Sequence, residues 1–184
     1  MMYIAIILDA AKITINTNIA SIIFASAQLF GCWLSTVTVD RFGRRPLLLI
    51  STSGMACSYT ILSVFLTVQH LHYDVSNYHW LPIVAVVSYA ITYCIGIGPL
   101  ASVVANEVYN PEFASICNCI FYMLFSTQAF LLTKFFPFII SSMGFHNCFF
   151  IFVATCIAGF FIILWFIPET KGKSIELIRE ELQG

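Results

Sequence analysis

Charge is what this sequence has least of. Charged side chains make up 9% of its 184 residues, against about 25% in an average soluble domain. Hydrophobic residues make up 60%, and a soluble domain of this size must turn too large a share of its surface to water to hide them. A soluble enzyme, a secreted disulfide module and a nucleic-acid binder are excluded together. The cysteines Cys32, Cys57, Cys94, Cys117, Cys119, Cys148 and Cys156 contain no C-x-x-C pair, so neither zinc nor a disulfide framework is implied. P-loop, nucleophile elbow and H-E-x-x-H strings are missing too, and with them any pointer to a cofactor or a resident metal. His70, His72 and His79 share a polar stretch with Asp74 and read as a solvated loop.

What is present is a series of apolar runs. A helix needs about 20 mostly apolar residues to cross the hydrocarbon core. Residues 19–39, 46–68, 81–105, 115–140 and 148–167 qualify, and of these only 115–140 holds a charge, Lys134. Residues 1–8 are apolar but too short to span, and lack the basic start and small-residue cleavage site of a signal peptide. They are expected to be the end of a helix that begins upstream. Gly43 and Pro46, Pro111, Gly144 and Pro168 punctuate the breaks between runs. The expected organisation is a truncated helix over 1–8, a five-helix transmembrane bundle over 19–167, and a tail over 168–184.

Basic residues sort by side. Arg41, Arg44, Arg45, Lys171, Lys173 and Arg179 fall on one side of such a bundle, Lys12 and Lys134 on the other. The richer side is expected to be the cytoplasm, which puts the tail inside the cell. Lys134 lies near the outer end of its span, where its ammonium snorkels to the interface.

Within the spans, Gly96, Gly98 and Pro99 stand out. In water such residues cost a helix about 1 kcal/mol per glycine and about 3 per proline, whereas in membranes they mark bent helices that line cavities. A bend beside a substrate path is expected there; the plainer reading is a packing notch for a neighbouring helix. Polar residues left in the spans are candidates to line the path: Gln28, Ser35, Thr92, Tyr93, Ser102, Asn106, Asn118, Tyr122 and Gln128. An amide both donates and accepts, which suits a ligand rich in hydroxyls. For any one of them a bridge between helices is the commoner role.

Three strings in register name a family. Asp40-Arg-Phe-Gly-Arg-Arg-Pro46 resembles the D-R-x-G-R-R loop of the major facilitator sugar porters. Pro168-Glu-Thr-Lys-Gly-Lys-Ser174 is similar to the P-E-T-K-G signature that closes their last helix. Gly96-Ile-Gly-Pro99, followed by Glu107 and Pro111-Glu112, is similar to their tenth helix and the loop after it. The texture of Asn18–Ile23 and Arg45–Ser51 is closest to the insect-type facilitated trehalose transporters. The resemblance covers the whole chain, as the end of helix seven through helix twelve.

It implies an all-α, multi-pass transmembrane bundle, the C-terminal half of a major facilitator fold, in the plasma membrane. The implied partners are membrane lipid, a small sugar and an N-terminal transporter half, with no nucleic acid. The implied function is facilitative sugar transport (trehalose- or hexose-like) by alternating access, and no enzymatic activity. Gln28, Tyr93, Gly96, Gly98, Pro99, Ser102, Asn118 and Tyr122 would line the substrate path. Asp40, Arg41, Arg44, Arg45, Glu107 and Glu169 would form the ion pairs of the inner gate. The sequence departs from the pattern at Leu100, Ala101 and Ser102, where sugar porters usually carry a small apolar residue and Pro-Trp. Phe125 and Ser126 stand where an Asn-Trp pair is common, and Ala114 where a basic residue is. The alternative is a truncated product without transport, or a membrane sugar sensor or interaction protein. One half supplies one wall, so no uptake is expected from this chain alone.

Overall fold

The computed structural model describes residues 17–71, 80–109 and 113–167. The expected stub (1–8) and tail (168–184) lie outside the described residues, as do His72 and His79.

Long apolar runs without Asp or Glu give long helices, because in lipid a backbone must satisfy its own hydrogen bonds. Six follow in order: α1 (Thr17–Phe42), α2 (Arg44–His70), α3 (Leu81–Ile95), α4 (Ile97–Val108), α5 (Ala114–Met143) and α6 (Phe145–Phe166). Counting α3 and α4 as one interrupted rod, five helices among the described residues are long and apolar enough to cross a membrane, from Asn18–Val39 to Asn147–Phe166. Each agrees with its expected run to within a few residues at either end. No strand occurs among the described residues.

Two joints are a single residue long. Gly43 turns α1 into α2 at φ 91°, and Gly144 turns α5 into α6 at φ 82°. Both angles lie in the region where a Cβ is strained, so glycine is the residue that allows the turn. Gly43 also donates its N–H to the Val39 carbonyl at 3.2 Å, closing the end of α1.

α2 is the central rod, laid against α6 on one side and α3 on the other, while α1 lies against α3. Its inward stripe is Leu47, Leu48, Ser51, Thr52, Met55, Ser58, Leu62, Ser63, Phe65 and Leu66, the spacing of one helical face. Leu47, Leu48, Leu100, Val104 and Ile163 form a core at the arginine end. Leu62, Phe65, Leu66, Ala85 and Phe149 form another at the opposite end. Phe24, Ala27 and Ala90 seat α1 on α3 between them.

Outside these seams the surface is apolar. Leu29, Phe30 and Trp33 on α1, Met123, Leu124 and Phe130 on α5, and Trp165 on α6 are all exposed. In water this would be untenable; against acyl chains it carries no cost. α5 is the least engaged helix, with Phe136 its one buried hydrophobic among the described residues. Lys134 is exposed, its ammonium 5.8 Å from the centroid of the Phe130 ring.

Candidate functional site

The interruption between α3 and α4 falls at Gly96, whose φ −128° and ψ −86° leave the helical region. A broken helix frees backbone groups, and in a membrane each must find a partner. Pro99 has no N–H, so the Ile95 carbonyl loses the donor four residues on. Ser35 of α1 replaces it, donating its hydroxyl to Ile95 O at 2.8 Å. One turn earlier, Ser51 of α2 donates to the Thr92 carbonyl at 2.7 Å. The same Ser51 oxygen accepts the Ile97 N–H at 3.1 Å. Two hydroxyls on two flanking helices therefore clasp the break from both sides. Both side chains are buried, Ser51 at 0% and Ser35 at 5% exposure.

Close approach of the backbones makes this reach possible. A Cβ on Gly96 would collide with Ser51 Cβ and lie 2.8 Å from the Leu47 carbonyl. A Cβ on Gly54 would likewise run into the Thr92 side chain. Small residues let α2 and the broken rod touch, the usual way membrane helices gain contact.

Aromatic rings lead away from the break. Tyr93 stacks on Tyr89 with centroids 6.0 Å apart, and Tyr89 meets Tyr59 at 4.9 Å. Tyr59 continues to Phe152 at 5.5 Å, which stacks on Phe136 at 6.0 Å. The ladder thus joins α3, α2, α6 and α5. Gly98 gives Tyr93 its room, since a Cβ there would stand 3.1 Å from the ring.

Of the residues named from sequence, Tyr93, Gly96, Gly98 and Pro99 come together at the break. Ser102 follows one turn on, half-buried, with its hydroxyl donated to the Pro99 carbonyl at 3.0 Å. Gln28 is half-buried on α1, beside Ala27 of the α1–α3 seam. Asn118 donates its amide to the Asn106 side chain, which ties the start of α5 to the end of α4. Tyr122 is exposed on α5 with its ring edge against Phe121.

At the arginine end, Arg45 donates to the Leu164 carbonyl. That oxygen is among the last of α6, where unpaired carbonyls and the helix dipole favour a cation. Arg44 is half-buried and Arg41 exposed. The side chains of Asp40 and Glu107, and all of Glu169, lie outside the described residues. Among those residues no group of His, Cys, Asp and Glu is placed to hold a metal.

Ser51 is the residue that sequence reasoning missed. A signal existed: Ser51, Gly54 and Ser58 recur at helical spacing in α2, a stripe of small residues of the kind that meets another helix closely.

Residues 1–182 match the model of a family described as sugar (and other) transporters. The chain belongs to that family. Curated proteins similar to the chain include facilitated trehalose transporters of insects. The Bombyx mori protein is 31% identical over 180 residues, 98% of this chain and 36% of its own length. The Polypedilum vanderplanki protein is 32% identical over 181 residues, again 36% of its length. This chain therefore spans about a third of those relatives. Among solved structures, a double-Trp mutant of XylE superposes with a TM-score of 0.78 at 21% identity, over 93% of this chain and 36% of that one. This likeness establishes the fold: the all-α, multi-pass membrane bundle expected from the sequence.

Proposed function

We propose that this chain forms one wall of a facilitative carrier for a small sugar, of trehalose or hexose type, working by alternating access in the plasma membrane. The observation that carries the reading is the break at Gly96, clasped by Ser35 and Ser51 in a member of a sugar transporter family. Discontinuous helices near the midplane are where carriers of this kind hold substrate. Tyr93, Gly98, Pro99 and Ser102 around the break, with Gln28, Asn118 and Tyr122, are the proposed lining. The names of the relatives support trehalose as the first sugar to try.

A second bundle supplies the opposite wall in this reading. Support comes from the apolar faces of α1 and α5, which this chain leaves uncovered, and from relatives about three times as long. The inner gate is proposed as exchangeable ion pairs of Arg41, Arg44 and Arg45 with Asp40, Glu107 and Glu169, on the cytoplasmic side with the tail. Half-exposed pairs contribute about 0–1 kcal/mol each, so a network of them biases a two-state equilibrium without freezing it.

The test is uptake of labelled trehalose or glucose into liposomes. The 184-residue polypeptide alone is expected to show no saturable uptake. Joined behind the preceding part of the Bombyx mori relative, it is expected to show it. Uptake by the polypeptide alone would overturn the one-wall reading. An assembled joint protein that binds sugar without moving it would favour a sensor instead.

A further inference from the structure

The α1–α3 seam carries two thiols as well as the Ser35 clasp. Cys94 is buried at 5% exposure and immediately precedes Ile95, whose carbonyl Ser35 holds. A Cβ on Gly31 would lie 2.8 Å from Cys94 Cβ and 2.9 Å from the Ile91 carbonyl, so the two backbones are at close approach there. Cys32 follows Gly31 and sits three positions before Ser35, on the flank of the same face. Cys32 and Cys94 therefore flank the same close approach between α1 and α3. Cys32 is exposed, which leaves the pair open on one side.

We propose that Cys32 and Cys94 form a two-thiol site for a trivalent, thiol-seeking centre, with an uncharged organic arsenical as the fitting ligand class. For phenylarsine oxide the reaction balances without an oxidant. Two As–S bonds form, the arsenic–oxygen bond breaks, and the oxygen leaves as water with the two thiol protons; arsenic stays trivalent. Depth selects an uncharged ligand. Cys32 lies ten residues before the end of α1 at Phe42, about 15 Å from that end at 1.5 Å per residue, inside the hydrocarbon core. Once the first bond has formed, the second thiol is held at an effective concentration on the order of millimolar or above. Dissolved monothiols therefore compete poorly. The bridged pair staples α1 to α3 one residue from the carbonyl that Ser35 clasps, and so holds the break. None of this depends on transport.

The test is the intact mass of the purified full chain, treated with phenylarsine oxide and then with excess glutathione. One retained phenylarsine group per chain is expected, removed by dimercaptopropanol. Cys32→Ser and Cys94→Ser should each lose it, and Cys57→Ser should keep it. Fragment mapping of the treated protein without substitutions, which needs no variant to fold, should find the residue 32 and residue 94 fragments joined through arsenic. No glutathione-resistant adduct, retention in both single variants, or a bridge mapped to other cysteines would each overturn the proposal.

Discussion

Ser51 makes two hydrogen bonds to backbone that no other described residue makes. It gives its proton to Thr92 O and takes one from Ile97 N. Ser51→Ala should therefore strand two buried polar groups, at about 1–3 kcal/mol, and lower the thermal unfolding midpoint in detergent. Ser53→Ala, two residues on, removes an exposed hydroxyl that only caps its own helix at Ile50 O. It should stay within about 0.5 kcal/mol of the parent. Gly96→Ala meets the Leu47 carbonyl and Ser51 Cβ, and overpacking of this kind costs about 1–3 kcal/mol. Equal midpoints for the Ser51 and Ser53 variants would refute the clasp. In the sequence the small-residue stripe sets Ser51 apart from Ser53 but not from Ser58. Ser53, Ser58 and Thr60 bond carbonyls three or four residues back, as hydroxyls in membrane helices commonly do. Only the face on which Ser51 falls, opposite a broken neighbour, distinguishes it.

For the element, the question is why the third span breaks and yet holds its line. Glycine and proline weaken it, and both are visible in the sequence. The groups that repair it come from α1 and α2, and sequence carries no record of which helices touch. Pro99 and Ser35 are linked through Ile95 O, since the proline removes the donor that the serine replaces. A double-mutant cycle should show the link. Ser35→Ala should cost about 0.6–1.7 kcal/mol alone, and clearly less beside Pro99→Ala, which restores a backbone donor. Additive costs would mean that Ser35 does not substitute for that donor. α5 is the opposite case. Its span was legible from apolar length, but its neighbours were not, because nearly every side of it is apolar. Few of its side chains are buried within this chain. Leu124→Ala should accordingly leave the midpoint of the isolated chain within about 0.5 kcal/mol, whereas the buried Leu62→Ala should cost about 2–5.

Across the whole molecule, two readings of charge meet. Scarcity of charge announced lipid as the solvent, and five membrane-length helices follow from it. One of the few charges is structural: Arg45, one turn from Leu48, holds the end of α6 through the Leu164 carbonyl, next to Ile163 of the arginine-end core. Two of the family strings were legible because they sit at joints, where few residue types satisfy the geometry; Gly43 at φ 91° is the clearest instance. The proposed sugar path was legible only in part. Tyr93, Gly96, Gly98 and Pro99 converge, while the Asn118 amide goes to Asn106 and Ser102 stands where sugar porters usually carry a Trp. If the path runs along the break, Ser102→Cys in the protein joined to its companion bundle should be shielded by bound sugar. Its rate of reaction with a water-soluble thiol reagent, read by fragment mass at that position, should fall several-fold in trehalose. The same substitution at exposed Ser53 should be unaffected. Equal rates at Ser102→Cys with and without sugar, in a protein that still takes up sugar, would place the path elsewhere.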